Sequence, residues 1–340
     1  MAVQTRATLH DVARLAGVSA KTVSRVYSQR DLVAPDTVER VMSAAKRLRF
    51  RPNLLAQSLR RGGGATTVGF IMGELLNPFY YTVAAGIERE LALHGFALIV
   101  ATTDDSVEGE ARVADTLLSQ RVGALLMIPV GEDQSYLEGE RQLGTPVIAI
   151  DRPARDLVAD SVVLANRAGA YEATRALISR GHRRIAYICN PASVYTQVER
   201  VTGYRAALAS AGIDPDPRWE RLLDDPASSP ESVVRDLMVQ PSVPTAIIAG
   251  NNRVCIGAVR ATLEMPAPPA LIGFDDFETA DVLGISVVGH DPMEMGRRAA
   301  RLAVERMRDP IGFTTQLELP TRLIARGSGE RAPALSESSR

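Results

Sequence analysis

Residues 8–28 read TLHDVARLAGVSAKTVSRVYS. Thr8 opens a helical pattern in which Val12, Leu15 and Ala16 recur at helical spacing, and Asp11 stands three residues on, where an acid favours a helix start. Gly17 stops that helix. Ser19 caps a second, to about Ser28, on which Val23 and Val26 face inward while Ala20, Lys21, Ser24 and Arg25 face out. Two short helices joined by a glycine-containing turn form a helix-turn-helix. After Pro35, the apolar spacing of Val38, Val41, Ala45 and Leu48 behind Thr37 gives a third amphipathic helix to cover the first two. The outward face of the second helix has the chemistry of a major-groove reader. Arg25 can donate a fork to guanine O6 and N7, Lys21 can reach a base or a phosphate, and Ala20 leaves room for a thymine methyl.

A solvated helix with two cations is the plain alternative, and the charge distribution decides against it. Residues 1–61 hold 12 Lys/Arg against 4 Asp/Glu, whereas the remainder holds 27 against 36, so only the small N-terminal end is built for a polyanion. The chain of 340 residues is long enough for two or three units with cores of their own. No apolar run of about 18 residues suggests a membrane span. The start MAVQTRATLHDVARLAG has no apolar signal core, so export is disfavoured and a cytoplasmic protein is expected. Two cysteines, Cys189 and Cys255, and four scattered histidines match no metal-ligand spacing, so neither a disulfide nor a metal site is expected. No cofactor is implied.

Arg51-Pro52-Asn53-Leu54-Leu55-Ala56-Gln57-Ser58-Leu59-Arg60-Arg61 then leads into three glycines. Proline suits a first helical turn and the glycines end regular structure, so a short hinge helix and a joint occupy 51–65. So short a helix is marginal alone. From Thr66 onward apolar runs alternate with amphipathic helices: TTVGFIM, a helix near 79–94, FALIVAT, a helix near 108–120, ALLMI, a short helix and PVIAI. A second series opens with SVVL and continues with helices near 167–180, 198–211 and 252–264 between RIAYIC, TAIIAG and PALIGF. Strands alternating with helices imply parallel sheets covered on both faces, and two series imply two lobes with a ligand cleft between them.

The stretches TLHDVARLAGVSAKTVSRV and VAPDTVERVMSAAKRLRFRPNLLAQSLRRG resemble the lac-repressor (LacI/GalR) family of bacterial transcription regulators, and the likeness continues to about residue 327. The resemblance implies a three-helix helix-turn-helix domain over 1–50 and a hinge helix and glycine joint over 51–65. It implies a two-lobed α/β core like that of periplasmic binding proteins over 66–326, lobe 1 comprising about 66–163 and 291–318 and lobe 2 about 164–290 and 319–326. Residues 327–340 are small and polar and read as a disordered tail. By family position Ala20, Lys21 and Arg25 match base-reading residues. Ser19, Thr22, Ser24 and Asn53 match backbone contacts, with Thr8, His10 and Ser28 as further DNA contacts. Ala56 and Leu59 match a minor-groove pair that wedges the operator centre. Phe79, Tyr80, Arg200, Asn251, Asp275 and His290 match effector contacts, a set suited to a sugar, sugar acid or sugar phosphate.

Several positions depart from the family pattern. Gly73 stands where an aspartate or serine commonly faces ligand, and Ala165-Asn166 stands where Asp-Asn is common. Asn252 replaces the usual acid, and His290 a frequent glutamine. A homodimer on a pseudo-palindromic double-stranded operator is implied, since one reading helix specifies one half-site. The absence of G-x-G-x-x-G, of a phosphate-binding P-loop and of a nucleophile elbow argues against an enzyme. A transport-type binding protein would share the two lobes but would need export and no basic helix-turn-helix.

Overall fold

The computed structural model describes residues 7–50, 65–191, 194–223, 228–310 and 312–333. The chain divides into two compact units, Met1–Thr66 and Thr67–Arg340. The first unit is built from three helices, α1 (Leu9–Ala16), α2 (Ala20–Ser28) and α3 (Pro35–Arg47). Thr8 caps α1 in a reciprocal box: its Oγ1 accepts from the Asp11 amide, and Asp11 Oδ2 accepts from the Thr8 amide at 2.9 Å and from its hydroxyl at 2.6 Å. Those bonds hold the Asp11 carboxyl below its ordinary range. Gly17 ends α1 at φ 66°, a left-handed turn that glycine takes without strain. The core between the helices is made of small residues, chiefly Val12, Val23, Val26, Val38, Val41 and Ala45. Leu15 departs from the sequence reading: it is 42% exposed, because Val12, Ala13 and Ala16 already fill the inward stripe of an eight-residue helix.

The second unit contains two six-stranded sheets. Sheet 1 is formed by β1 (Thr67–Met72), β2 (Ala97–Thr102), β3 (Leu125–Met127), β4 (Val147–Asp151), β5 (Asp160–Leu164) and β11 (Gln316–Leu319), in the order β11-β5-β4-β3-β1-β2 and parallel throughout. Sheet 2 is formed by β6 (Ile185–Cys189), β7 (Glu220–Leu222), β8 (Ala246–Ala249), β9 (Ala270–Phe274), β10 (Ser286–Gly289) and β12 (Arg322–Ile324), in the order β12-β10-β9-β8-β6-β7, with β12 alone antiparallel. Helices α4 (Pro78–Leu93), α5 (Val107–Ser119), α6 (Glu138–Gln142) and α11 (Pro292–Arg308) accompany the first sheet, and α7 (Asn166–Ser179), α8 (Tyr195–Ser210), α9 (Pro230–Met238) and α10 (Asn252–Thr262) the second. The order of apolar runs put SVVL at the head of the second series, and the structure corrects this in favour of the lobe bounds that the resemblance implied. SVVL belongs to β5 of sheet 1, between β4 and β11, and the chain leaves that sheet only after Leu164. Chain crossings after β5, β10 and β11 tie the lobes together.

Glycines set the closest helix approach in lobe 1. A Cβ on Gly296 of α11 would fall 2.9 Å from the Ile87 amide nitrogen of α4, so the two helices meet backbone to backbone. The tail also departs from expectation, since residues 327–333 are packed against lobe 2. Ser328, 1% exposed, donates to the Leu271 carbonyl at 2.6 Å and accepts from the Ser286 amide at 2.8 Å. His182 Nε2 lies 2.9 Å from the Arg331 carbonyl, which only accepts, so that nitrogen carries the proton. Small polar residues suggested disorder, but here smallness permits close packing, and Ser328, Gly329, Glu330 and Arg331 are bonded to lobe 2. Residues 334–340 and the hinge positions Asn53, Ala56 and Leu59 lie outside the described residues.

Candidate functional site

The DNA-reading face follows from the capping of α2. Ser19 accepts from the Thr22 amide at 3.0 Å, and the two hydroxyls share a bond at 2.8 Å, so these side chains hold the helix start. One turn on, Lys21 and Arg25 are exposed, and no described residue engages either cationic group. Ser24 and Ala20 are half-buried between them and the core, Ala20 packing against it more than the sequence implied. Ser28 Oγ donates to the Arg25 carbonyl at 3.3 Å, while His10 is exposed on α1. Thr8 is committed to its cap. The helix therefore presents two free cations over a floor of small side chains.

In the second unit, the polar residues cluster beyond the carboxyl ends of the strands. Arg200 of α8, 3% exposed, lies over the Phe274 ring with its guanidinium carbon 3.7 Å from the ring centre. Its Nε donates to Asn166 Oδ1 at 2.7 Å, Nη1 donates to the Gly250 carbonyl at 2.6 Å, and Nη1 and Nη2 each stand 3.4 Å from an Asp275 oxygen. The arginine is thus largely satisfied by the protein. Asn166, in the altered Ala165-Asn166 pair, is the residue that orients it. Asp275 adopts φ 66°, and its Oδ1 is 3.8 Å from His290 Nδ1.

His290 has a side chain only 1% exposed, and neither ring nitrogen has a hydrogen-bond partner among the described residues. Burial pushes its basicity down, with Asp275 opposing. The Phe79 ring meets it edge-on at 5.6 Å and the Tyr80 ring at 5.5 Å on the other side. Asn251 caps α10 by accepting from the Val254 amide at 2.9 Å, which leaves its amide nitrogen free of that role. Contacts therefore run from Tyr80 through Phe79, His290, Asp275 and Arg200 to Gly250, the neighbour of Asn251. Phe79, Tyr80, Arg200, Asp275 and His290 thus form one continuous set of contacts, and Asn251 adjoins it only through its neighbour Gly250.

The sequence reading missed Asp151 at the end of β4. It is buried at φ 68° with Arg152 Nε at 3.6 Å, and burial raises its pKa, with Arg152, Arg200, Asp275 and His290 all acting on it. Its signal is the one Asp275 also gives, an acid at the carboxyl end of an apolar run, here PVIAI. Also missed was the set of bonds across the cleft. Asn252 Nδ2 donates to Asn77 Oδ1 at 3.0 Å, Arg253 Nη1 to Glu74 Oε1 at 3.0 Å, and the Tyr81 hydroxyl to Glu278 Oε1 at 3.3 Å. Asn77 already accepts from the Phe79 amide as the cap of α4, so it can only accept from its partner here. An acid at 252, usual in the pattern, could not supply that donor when ionised.

Comparison with known proteins agrees with the two-unit fold. Residues 8–53 match the family model described as bacterial regulatory proteins, lacI family, and residues 65–266 the model for periplasmic binding proteins and the sugar binding domain of the LacI family. The chain is 31% identical over 329 residues to the ribose operon repressor of Escherichia coli (strain K12), covering 95% of this chain and 99% of that one. It is 32% identical over 339 residues to the transcriptional regulator CelR of Thermobifida fusca, covering 95% and 98%. A crystal structure of the lac repressor dimer bound to operator and the anti-inducer ONPF superposes with a TM-score of 0.83 at 26% identity, over 96% of this chain and 99% of that one.

Proposed function

Because the chain belongs to the LacI family of bacterial regulatory proteins, it is a ligand-responsive DNA-binding transcriptional regulator, and we propose that it represses carbohydrate-related genes under the control of a neutral polyhydroxylated effector. The observation that carries the effector class is the use of Arg200. Its guanidinium is held by Asn166, the Gly250 carbonyl and Asp275, while Asp151 adds a second carboxylate to the same cluster. Hydroxyls suit such a site, because each donates to a carboxylate and accepts from an amide or imidazole. An anionic ligand would meet the carboxylates of Asp151 and Asp275, each already beside an arginine, Arg152 and Arg200, for which it would have to compete. A sugar therefore fits this cleft better than the sugar acid or sugar phosphate that Arg200 and His290 suggested from sequence.

The DNA side of the reading rests on the free cations of α2. Arg25 contacts a guanine, Lys21 a neighbouring base or phosphate, and the protein acts as a homodimer whose two reading helices take the halves of a pseudo-palindrome. The lac repressor structure, a dimer on operator, supports that assembly. Effector works by binding two arrangements of the lobes with different affinity, which changes the operator affinity reciprocally. Calorimetric titration with ribose, cellobiose and ribose phosphate, followed by operator binding with each, tests the effector class. The neutral sugar should bind and alter operator affinity. Tighter binding of the phosphate would refute the proposal.

A further inference from the structure

We propose that Asp105, on the turn between β2 and α5, is the lobe-1 residue that accepts the effector's hydroxyls and turns anionic ligands away. This deepens the reading of the cleft as a sugar site and rests on it. Gly73 is the first residue beyond β1, which lies between β2 and β3 in the sheet. Chains leaving such strands diverge, which opens a crevice at their carboxyl ends. Gly73 brings no side chain to that crevice, but the space is taken. A Cβ there would lie 2.9 Å from Asp105 Cγ and 3.0 Å from Tyr80 Cε2, with Asp105 Oδ1 closer still. The Asp105 carboxylate therefore occupies the position from which a side chain at 73 would project.

The backbone is arranged to put it there. The Thr103 amide donates to the Met72 carbonyl at 3.0 Å and the Asp104 amide to the Gly73 carbonyl at 2.9 Å, so strand-like pairing runs past the ends of β1 and β2. Asp104 and Asp105 then both take φ 54°, a left-handed conformation uncommon for any residue with a Cβ. Thr103 Oγ1 accepts the Asp105 amide at 3.2 Å and fixes the turn, and Ser106 caps α5 immediately after it. Strain of this kind persists where the surroundings impose it, often at ligand clamps. The carboxylate so placed is exposed and accepts no hydrogen bond from a described residue. Burial raises the pKa of the Tyr80 hydroxyl, Arg152 opposes that shift, and Asp105, Asp151 and Glu74 add to it. An ionised carboxylate only accepts, so it selects hydroxyl donors and repels anions.

The test uses the full-length protein with ribose and cellobiose as neutral probes and ribose phosphate as the anionic one. Asp105→Ala should weaken the better neutral sugar about ten-fold or more, as expected for a lost bond to a charged group. Asp105→Asn keeps the shape and one acceptor, so it should weaken the sugar less and narrow the discrimination against ribose phosphate. Gly73→Asp combined with Asp105→Ala should restore part of the affinity, because the carboxylate returns through the other strand. Thermal melts without sugar check folding, and Asp105→Asn serves if the alanine variant fails to fold. Wild-type affinity in both Asp105 variants overturns the role of Asp105 and leaves the sugar reading standing. No binding of either neutral probe to the wild type overturns both together.

Discussion

Arg25 and His290 show how much a single residue can carry. Arg25 is exposed on α2, with no described residue engaging its guanidinium, so its cost of desolvation is met only by what it reads. Arg25→Ala should lose about 1–3 kcal/mol on the selected operator and relax choice at one base pair. Anisotropy titrations against an operator and its single-base variants measure this, and equal weakening on every sequence would mean a phosphate contact instead. His290 is buried beside Asp275 with Arg200, Asp151 and Asp291 also acting on it, and burial holds it below its ordinary 6.5. The folded state resists a proton that the unfolded chain accepts. Its contribution to stability is therefore complete above that ordinary value and is lost as pH falls through the lower folded value. His290→Asn should flatten the fall in melting temperature between about pH 7 and 5. His182, depressed in the same direction, leaves part of the slope in place.

At the level of elements, legibility followed the strength of the local pattern. Long amphipathic helices such as α4, α5, α7 and α8 stand within a few residues of their sequence positions because their apolar periodicity spans several turns. β7 is three residues, Glu220–Leu222, at the edge of sheet 2, and two of its three side chains are charged, so no alternation was available to read. α9 was missed because its capping box pairs Ser229 with Ser232 rather than with the usual glutamate or glutamine. β10, SVVG, was hidden by its shortness before a polar stretch. The cleft was legible where strand ends carry polar residues, as at Asn251, Asp275 and His290. Asp151 ends β4 in the same way and was open to the same reading, whereas Asp105 and Asn77 were not, because their placement depends on backbone turns and on partners distant in sequence.

The whole second unit is held in its present arrangement by bonds between lobes as well as by the chain crossings. Asn252→Asp removes the only donor to Asn77 at that contact and adds a carboxylate facing an acceptor, and Arg253→Ala removes the ion pair to Glu74. The double variant should open the cleft, read as a larger radius of gyration by small-angle scattering without effector, and effector should reverse it. An unchanged radius would show that the crossings and the remaining Tyr81–Glu278 bond suffice to set the lobes. The order of the strands has a consequence for how the protein is made. Sheet 1 receives β11 at 316–319 and sheet 2 receives β12 at 322–324, so one strand of each follows all the others in sequence by many residues. The helix-turn-helix has its small core complete by residue 50 and can fold while the rest is still being synthesised. Sheet 1 cannot be completed before residues 316–319 have emerged, nor sheet 2 before residues 322–324. A translating polysome thus displays a finished DNA reader well before a finished sensor, and ribosome stalling late in the message would yield a reader that no effector can address.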